Sequence, residues 1–249
     1  MKRSVLAILI ILFAIPFSNG QQLWKMKRWE AVGGIGPTLF FDDIGGYTIG
    51  KNILGLKDLS FHQTMFEING NVRYRILRDV NVRLSLTYGW LHGSDIRGSN
   101  EGRDMAVTTS IFEPVVMGEY FFIKNYAETS WLFLKRKQGF LRTLIKNLDF
   151  YAFAGFGGVA YNPKGNDALV ANGIHKGGFT PVVPLGLGTT LVYSPDLNFG
   201  VELGGRYAFS DYLDGYTSQY SKANDVYYFL NFTVTYKLKT GSNGWPSFR

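Results

Sequence analysis

Apolar and polar residues alternate almost without interruption near the end of the chain, from Asp225 to Leu238. One face of this stretch is apolar or aromatic and consists of Val226, Tyr228, Leu230, Phe232, Val234, Tyr236 and Leu238. The opposite face is mostly polar, with Phe229 as the exception. A period of two predicts a β-strand with two different faces. The strand is long enough to cross a membrane at a tilt, which takes roughly 9–11 residues.

The same alternation recurs along the chain and predicts eight strands separated by turn-forming residues. In chain order these strands are Glu30–Phe41, Thr64–Ile76, Val80–Trp90, Thr109–Phe122, Leu148–Ala160, Phe179–Tyr193, Leu197–Ser210 and Asp225–Leu238. An even number of antiparallel strands with apolar outer faces is typical of bacterial outer-membrane barrels. We therefore predict an all-β fold, an eight-stranded antiparallel transmembrane β-barrel.

Short connections predict how neighbouring strands pair. The three residues 77–79 place Ile76 opposite Val80, so that the apolar faces of both strands fall on the same side. The connection 194–196 does the same for the strands around it. A slip of one residue would turn arginines towards lipid, so the register is strongly specified.

Longer connections alternate with these tight turns, as short periplasmic turns alternate with outer loops in bacterial barrels. The longer connections are 42–63, 91–108, 161–178 and 211–224. Aromatic residues on the outward faces form two predicted girdles at the membrane interfaces. One girdle consists of Tyr74, Tyr120, Phe122, Tyr193 and Tyr236, and the other of Tyr88, Trp90, Tyr207 and Phe209.

The N-terminus has the features of an export signal. A charged start, Met1–Arg3, precedes an apolar run from Val5 to Phe17 that is too short for a membrane helix. Ser18 and Gly20 are the small residues expected before a cleavage site, so we predict a signal peptide over 1–20, removed before Gln21. The remaining 21–249 form the predicted outer-membrane barrel domain.

Composition narrows the chemistry. The chain has no cysteine, which excludes disulfides, thiolate metal sites and cysteine nucleophiles. Its formal net charge of +7 suits an anionic lipid surface. We expect outer-membrane lipid and lipopolysaccharide as the surroundings, no nucleic acid as a partner and no cofactor.

One predicted periplasmic connection, Ile123–Asn147, is unexpectedly long and basic. Its charged residues include Lys135, Arg136, Lys137, Arg142 and Lys146, and part of it has helical apolar spacing. It is either a solvated insertion or a contact surface for lipid headgroups or a periplasmic partner. A second polar segment, the tail 239–249, follows the last strand.

Charged residues occur on the predicted inward faces of the strands. They are Glu67, Arg73, Arg75, Arg83, Glu113, Glu119, Glu202, Arg206 and Lys237. An eight-stranded barrel is just wide enough to be filled by side chains. We therefore expect a structural network of ion pairs across the lumen, with an ion or small-solute pathway as the alternative.

Histidines near the predicted outer loops raise the alternative of an enzyme that modifies outer-leaflet lipid. His92 is followed closely by Ser94 and Asp95, the residue types of a nucleophile, base and acid set, but without a distinctive motif. His62 with Ser60, and His175, are further candidates for catalysis.

Calcium and nucleotide sites are not indicated by the sequence. The pairs Asp42-Asp43 and Asp211 with Asp214 lack the spacing of a calcium loop. Gly33, Gly34 and Gly36 lack the context of a nucleotide loop and fit close strand packing.

Several segments resemble a known family. They are Arg83–Tyr88, Phe150–Gly165, Pro184–Gly188, Asn198–Tyr207, Ser210–Asp214 and Asn224–Leu230. Together they resemble small Bacteroidota outer-membrane β-barrels, the family that includes the barrel subunit of the type IX secretion system. The resemblance implies a non-enzymatic barrel that associates with periplasmic secretion-ring proteins. The chain departs from that subunit in the basic insertion and the polar tail.

These observations predict a non-enzymatic outer-membrane barrel with a structural or interaction role, and more narrowly an accessory of type IX secretion or gliding. A lipid-modifying enzyme at the rim and a small-solute pore are the alternatives.

Overall fold

The computed structural model describes residues 23–41, 44, 63–96, 101–126, 130, 144–217 and 224–247. Its eight long strands are β1 (Trp29–Phe41), β2 (Met65–Arg75), β3 (Val80–Ser94), β4 (Ala106–Ile123), β5 (Leu148–Gly165), β6 (Gly178–Val192), β7 (Leu197–Ala208) and β8 (Val226–Thr240). A two-residue strand β9 (Pro246–Ser247) pairs with the end of β8. Helical segments of the described residues include a short α1 (Asp167–Ala171) and two 3-10 turns, Leu23–Met26 and Glu101–Arg103.

The strands form a closed antiparallel barrel. Each of the eight pairs with its neighbours in the chain, and β1 pairs with β8 to close the wall. The predicted all-β, eight-stranded barrel is therefore confirmed. The largest differences from the predicted strand bounds are at the ends of two strands: β3 continues past Trp90 to Ser94, and β5 continues past Ala160 to Gly165.

The strand register follows the tight turns as predicted. The amide of Ile76 donates to the carbonyl of Val80 at 3.0 Å, and that of Ser194 donates to Leu197 at 2.9 Å. With this register Arg73 on β2 is buried inside the barrel. The short turns and the alternation of polar and apolar residues therefore specify the same strand register.

The outer surface of the wall is apolar. Ile68, Leu84, Val116, Leu185 and Phe232 are each about half exposed or more and lie on five different strands. The first strand, β1, begins and the last long strand, β8, ends at the same end of the barrel. We call this end the terminal end, and the opposite one the loop end.

The interior is only partly polar, which the simple alternation did not predict. An apolar cluster occupies much of it and includes Ile111, Val115, Met117, Tyr151, Phe153, Val159, Val182, Tyr227 and Phe229. In β4 and β5 the inward face is therefore largely apolar. Phe229, the exception to the alternation in β8, is fully buried and packs under the Arg206 guanidinium at 4.2 Å.

Loop residues cover the barrel at the loop end. Leu213 lies in the connection between β7 and β8 and is fully buried in the interior cluster. Thr109 Oγ1 donates to its carbonyl at 2.6 Å, and its amide donates to Asp225 Oδ2 at 2.8 Å. A second apolar cluster lies in the same region and consists of Ile44, Met105, Val107 and Leu169, packed against Ile174 and Tyr216.

The tail after β8 folds back on the first strand. The indole of Trp29 donates to the Gly244 carbonyl at 2.9 Å and stacks on Trp245 with ring centroids 5.9 Å apart. These contacts hold the described part of the polar tail against β1.

Two predicted features, the signal peptide and the basic insertion, lie wholly or partly outside the described residues. The signal peptide 1–20 lies outside the described residues, as do Lys135, Arg136, Lys137 and Arg142 of the basic insertion. Residues 144–146 are helical, and Lys146 is exposed. Among the helices of the described part, none has the length and apolar character needed to cross a membrane.

Candidate functional site

All nine charged residues predicted for the lumen are buried, and so is Glu30 on β1, which contacts them. The carboxylates are Glu30, Glu67, Glu113, Glu119 and Glu202, and the cations are Arg73, Arg75, Arg83, Arg206 and Lys237. Glu30 therefore balances the formal charge of this set. The sequence did not predict that Glu30 faces inwards, because the glycines of β1 leave no clear difference between the apolar and polar faces of that strand.

Two arginines and two glutamates form the centre of this network. Arg73 and Arg83 are opposite each other on β2 and β3. Glu119 lies between them, with one oxygen 2.7 Å from Arg73 Nε and the other 3.1 Å from Arg83 Nε. These are charge contacts, because neither Nε atom has a hydrogen-bond partner among the described residues. Glu202 Oε1 contacts both guanidinium groups and accepts a hydrogen bond from Tyr151.

Glu30 extends the network towards the terminal end. Its cross-strand neighbours are Arg73 on β2 and Lys237 on β8. Its oxygens lie 3.0 Å from Arg73 NH1 and 3.2 Å from Arg75 NH2. One carboxylate thus joins the first, second and eighth strands, where the barrel closes.

A second group of charges lies farther from the termini. Arg206 Nε is 3.5 Å from Glu113 Oε1, and the Tyr227 hydroxyl donates to the other oxygen of Glu113. Arg206 also donates to the Gly204 carbonyl at 2.7 Å. The guanidinium is held by a charge, a backbone oxygen and an aromatic ring, which fixes its position.

A polar column runs along the inward face of β2. Asn71 Nδ2 donates to Asn69 Oδ1 at 2.6 Å, and Asn69 Nδ2 donates to the two Glu67 oxygens at 3.0 and 3.2 Å. These residues are two apart in sequence, so their side chains follow one another on one face. The column runs from Glu67 in the direction of Arg73 and Arg75, which lie on the same face of β2.

This arrangement suits structure better than transport. The charged groups come from β1, β2, β3, β4, β7 and β8, so their contacts join strands that are far apart around the wall. Removing one partner from a buried pair is strongly destabilising, whereas an exposed pair contributes little. With the apolar cluster beside them, these side chains fill the lumen.

The residues proposed for catalysis at the rim do not form a catalytic set. His92 Nδ1 lies 3.0 Å from Thr108 Oγ1, and Ser94 Oγ accepts from the Ile96 amide at 3.4 Å. Asp95 is held in a fork by Arg103, with both contacts at 3.0 Å. A nucleophile, base and acid must be hydrogen-bonded in series, and these three side chains are each bonded elsewhere.

The other candidates are also separate. His175 stacks on Tyr212 with ring centroids 4.4 Å apart. Asp211 accepts from Thr217 at 2.6 Å, and Asp214 accepts from the Tyr216 amide at 2.9 Å. Within the described residues no group of three His, Cys, Asp or Glu side chains could hold a metal ion. His62, Ser60, Asp42 and Asp43 lie outside the described residues.

Comparison with known proteins returns only distant likenesses. No protein-family model matches the chain, and no curated protein matches it. Among solved structures, the N-terminal β-barrel domain of Pseudomonas aeruginosa OprF is 12% identical, with a TM-score of 0.43 over 85% of this chain and 98% of that one. Neisserial surface protein A is 9% identical, with a TM-score of 0.44 over 84% and 96%. Ail of Yersinia pestis is 13% identical, with a TM-score of 0.39 over 85% and 99%.

All three are small β-barrels of the same general kind. At these identities and TM-scores the likeness carries no information about function. The barrel fold of this chain is established by its own strand pairing.

Proposed function

We propose that this protein is a non-enzymatic barrel of the outer membrane that serves as a structural or interaction component rather than as a channel. The observation that carries the proposal is the contrast between its two surfaces. The wall is apolar on the outside, and the lumen is filled by buried charges and aromatic rings.

The outer face supports membrane insertion. Leu185, Phe156 and Phe179 are each more than 60% exposed, and similar residues surround the barrel. Soluble proteins rarely expose a continuous apolar surface of this extent. A closed barrel satisfies all its backbone groups internally, as a membrane requires.

The filled lumen argues against a pore. Glu67 and Glu113 are fully buried, although a water-lined channel would expose such carboxylates. We expect the protein in planar bilayers to show no stable ion conductance. Steady single-channel currents would overturn this part of the proposal.

The contacts at the rim give no support to an enzyme. Replacing His92 with Ala should leave the lipid A profile unchanged when it is measured by mass spectrometry. A changed profile would restore the rim enzyme as the better function.

A narrower role, as an accessory of type IX secretion or gliding, is supported by the resemblance of Phe150–Leu238 to the small Bacteroidota barrels. The basic insertion would then contact a periplasmic partner. We propose a crosslinked pull-down of the tagged protein from native outer membranes, with a variant in which Lys135, Arg136, Lys137, Arg142 and Lys146 are all replaced by Gln.

Loss of a periplasmic partner from the neutralised variant supports the narrower role. The control replaces Lys164 and Lys176, exposed cations at the loop end, by Gln and should retain the partner. If the unaltered protein, the neutralised variant and the control recover the partner equally, or if none of them recovers one, the secretion role is rejected and the structural role remains.

A further inference from the structure

The outer wall carries an apolar groove of about 430 Å³ that crosses five strands. Its lining consists of Ile35, Leu148, Thr189, Leu191, Phe199, Gly200, Val201, Phe232, Thr233 and Val234. Seven of these ten residues have aliphatic or aromatic side chains. The groove is therefore suited to a hydrocarbon chain.

Strand register explains the shape of the groove. One wall is a row of cross-strand neighbours, Leu148, Leu191, Phe199 and Val234. The other wall is the next outward row, Thr189, Val201, Phe232 and Ile35. The paired residues Gly200 and Thr233 lie between the rows and form the floor. The first row ends opposite Gly33 on β1, which has no side chain to close the groove.

The groove has the length and direction of one lipid tail. It runs from β5 to β1 across four strand spacings, about 19 Å in total. The hydrocarbon part of one leaflet is about 15 Å thick, half of a typical core. Leu148 is the first residue of β5 at the terminal end, whereas Ile35 lies in the middle of β1. A chain in the groove would therefore rise from the rim towards the centre of the membrane.

Polar groups lie where a headgroup would be. Lys146 is exposed two residues before Leu148, and its segment is fixed to the wall by the Val192 amide, which donates to the Asn147 carbonyl at 2.9 Å. Tyr193 packs edge-on against Phe199 at 5.4 Å, beside the same end of the groove. An ammonium group and a phenol near a membrane interface suit a lipid phosphate.

Thr189 adds an unsatisfied hydroxyl one row above this end. Its Oγ1 has no hydrogen-bond partner among the described residues. A buried hydroxyl without a partner is costly. Rotation about χ1 exchanges its hydroxyl with its methyl group, so the hydroxyl can turn towards the ester carbonyl of a bound lipid.

We propose that this groove holds one acyl chain of a glycerophospholipid from the leaflet at the terminal end, with the phosphate at Lys146 and Tyr193. This inference rests on the proposed function, because only a membrane-embedded wall meets lipid.

The test measures bound phospholipid by native mass spectrometry after the folded protein is extracted from vesicles of phosphatidylglycerol into mild detergent. Val201→Phe fills the groove, and the lipid-bound fraction should fall roughly tenfold, because an occupied groove leaves little contact for the chain. Ala154→Phe adds the same ring to the outward face of β5 away from the groove and should retain the lipid. Lys146→Gln removes the ammonium group, and Thr189→Val replaces a hydroxyl of the groove wall by a methyl group of similar size. Both leave the shape of the groove unchanged, and each should lower retention.

A second measurement uses the unaltered protein, so that a poorly folding variant does not decide the matter. Phosphatidylglycerol with a diazirine at the end of one acyl chain should crosslink mainly near Ile35 and Phe232. Crosslinks spread evenly over the wall, equal lipid release from Val201→Phe and Ala154→Phe, or a dimer in place of the lipid adduct would each overturn the proposal.

Insertion is measured separately, by the heat-dependent gel shift of the folded barrel and by protease protection in vesicles. A chain that inserts but binds no lipid overturns the groove alone. A chain that does not insert overturns the membrane placement and the groove with it.

Discussion

Arg73 and Arg83 lie directly opposite each other on neighbouring strands, although two like charges in this position repel. Glu119 resolves the conflict because each of its oxygens contacts one of the two arginines, at 2.7 and 3.1 Å. All three side chains are almost completely buried. Together with Glu202, which also contacts both guanidinium groups, Glu119 therefore compensates the repulsion that this register creates.

Replacing Glu119 with Gln should destabilise the barrel by about 3–5 kcal/mol, because it leaves two buried cations facing each other with less compensation. Urea unfolding of the protein in vesicles, followed by tryptophan fluorescence, measures the change. The matched control is Asp196→Asn, which removes the ion pair with Lys27. The Asp196 side chain is 50% exposed, so its loss should cost no more than about 1 kcal/mol. Equal effects of the two substitutions would contradict a special role for Glu119.

The sequence predicted the barrel where its strands alternate cleanly. From Phe66 to Arg75 and from Val80 to Trp90 the apolar and polar faces are unmixed, and the three-residue turn between them allows only one pairing that keeps arginines out of lipid. Strand number and register followed from these local patterns. The positions of the lumen charges also followed, since a known face places every second residue.

The contacts inside the lumen required the structure. Tyr151 and Phe153 on β5 point inwards, but aromatic residues suit either face of a membrane strand, so alternation could not place them. Their burial depends on contacts with other strands, which no local pattern describes: Tyr151 donates to Glu202 and stacks on Phe121, and the Arg83 guanidinium lies over the ring of Phe153. Glu30 was missed for a related reason, because Gly33 and Gly34 give β1 no clear apolar face. Its register with Lys237 would have indicated its position.

Glu30 and Arg75 should be energetically coupled across the seam between the first and second strands. Their charged atoms lie 3.2 Å apart in a buried site. Glu30→Gln and Arg75→Gln should each destabilise the barrel, and the double variant should cost less than the sum by about 0.5–3 kcal/mol. Urea titrations of all four proteins give this coupling directly. Strictly additive effects would show that the contact contributes nothing of its own.

Gly36 should be essential for closing the barrel between β1 and β8. A Cβ atom at this position would lie 1.9 Å from the backbone oxygen of Leu230, which cannot move aside without breaking the wall. Gly36→Ala should therefore cost about 1–3 kcal/mol and reduce the folded fraction on a heat-dependent gel shift. Gly70→Ala is the control, since a Cβ there meets no atom within 4 Å. A folded fraction equal to that of the control would show that the seam can widen.

Trp245 should hold the tail against the first strand. Its ring stacks on Trp29 at an angle of 12°, and the neighbouring Gly244 carbonyl accepts the Trp29 indole hydrogen. Trp245→Ala removes a stacking contact worth about 0.5–1.5 kcal/mol, which should raise the opened population of the tail by up to roughly tenfold. Because proteolysis follows that population when reclosing is fast, trypsin should cleave after Lys239 faster by a similar factor in detergent micelles. Phe156→Ala, which removes an exposed ring elsewhere on the wall, should leave the rate unchanged. If Trp245→Ala also left it unchanged, the tail would be held by its pairing with β8 alone.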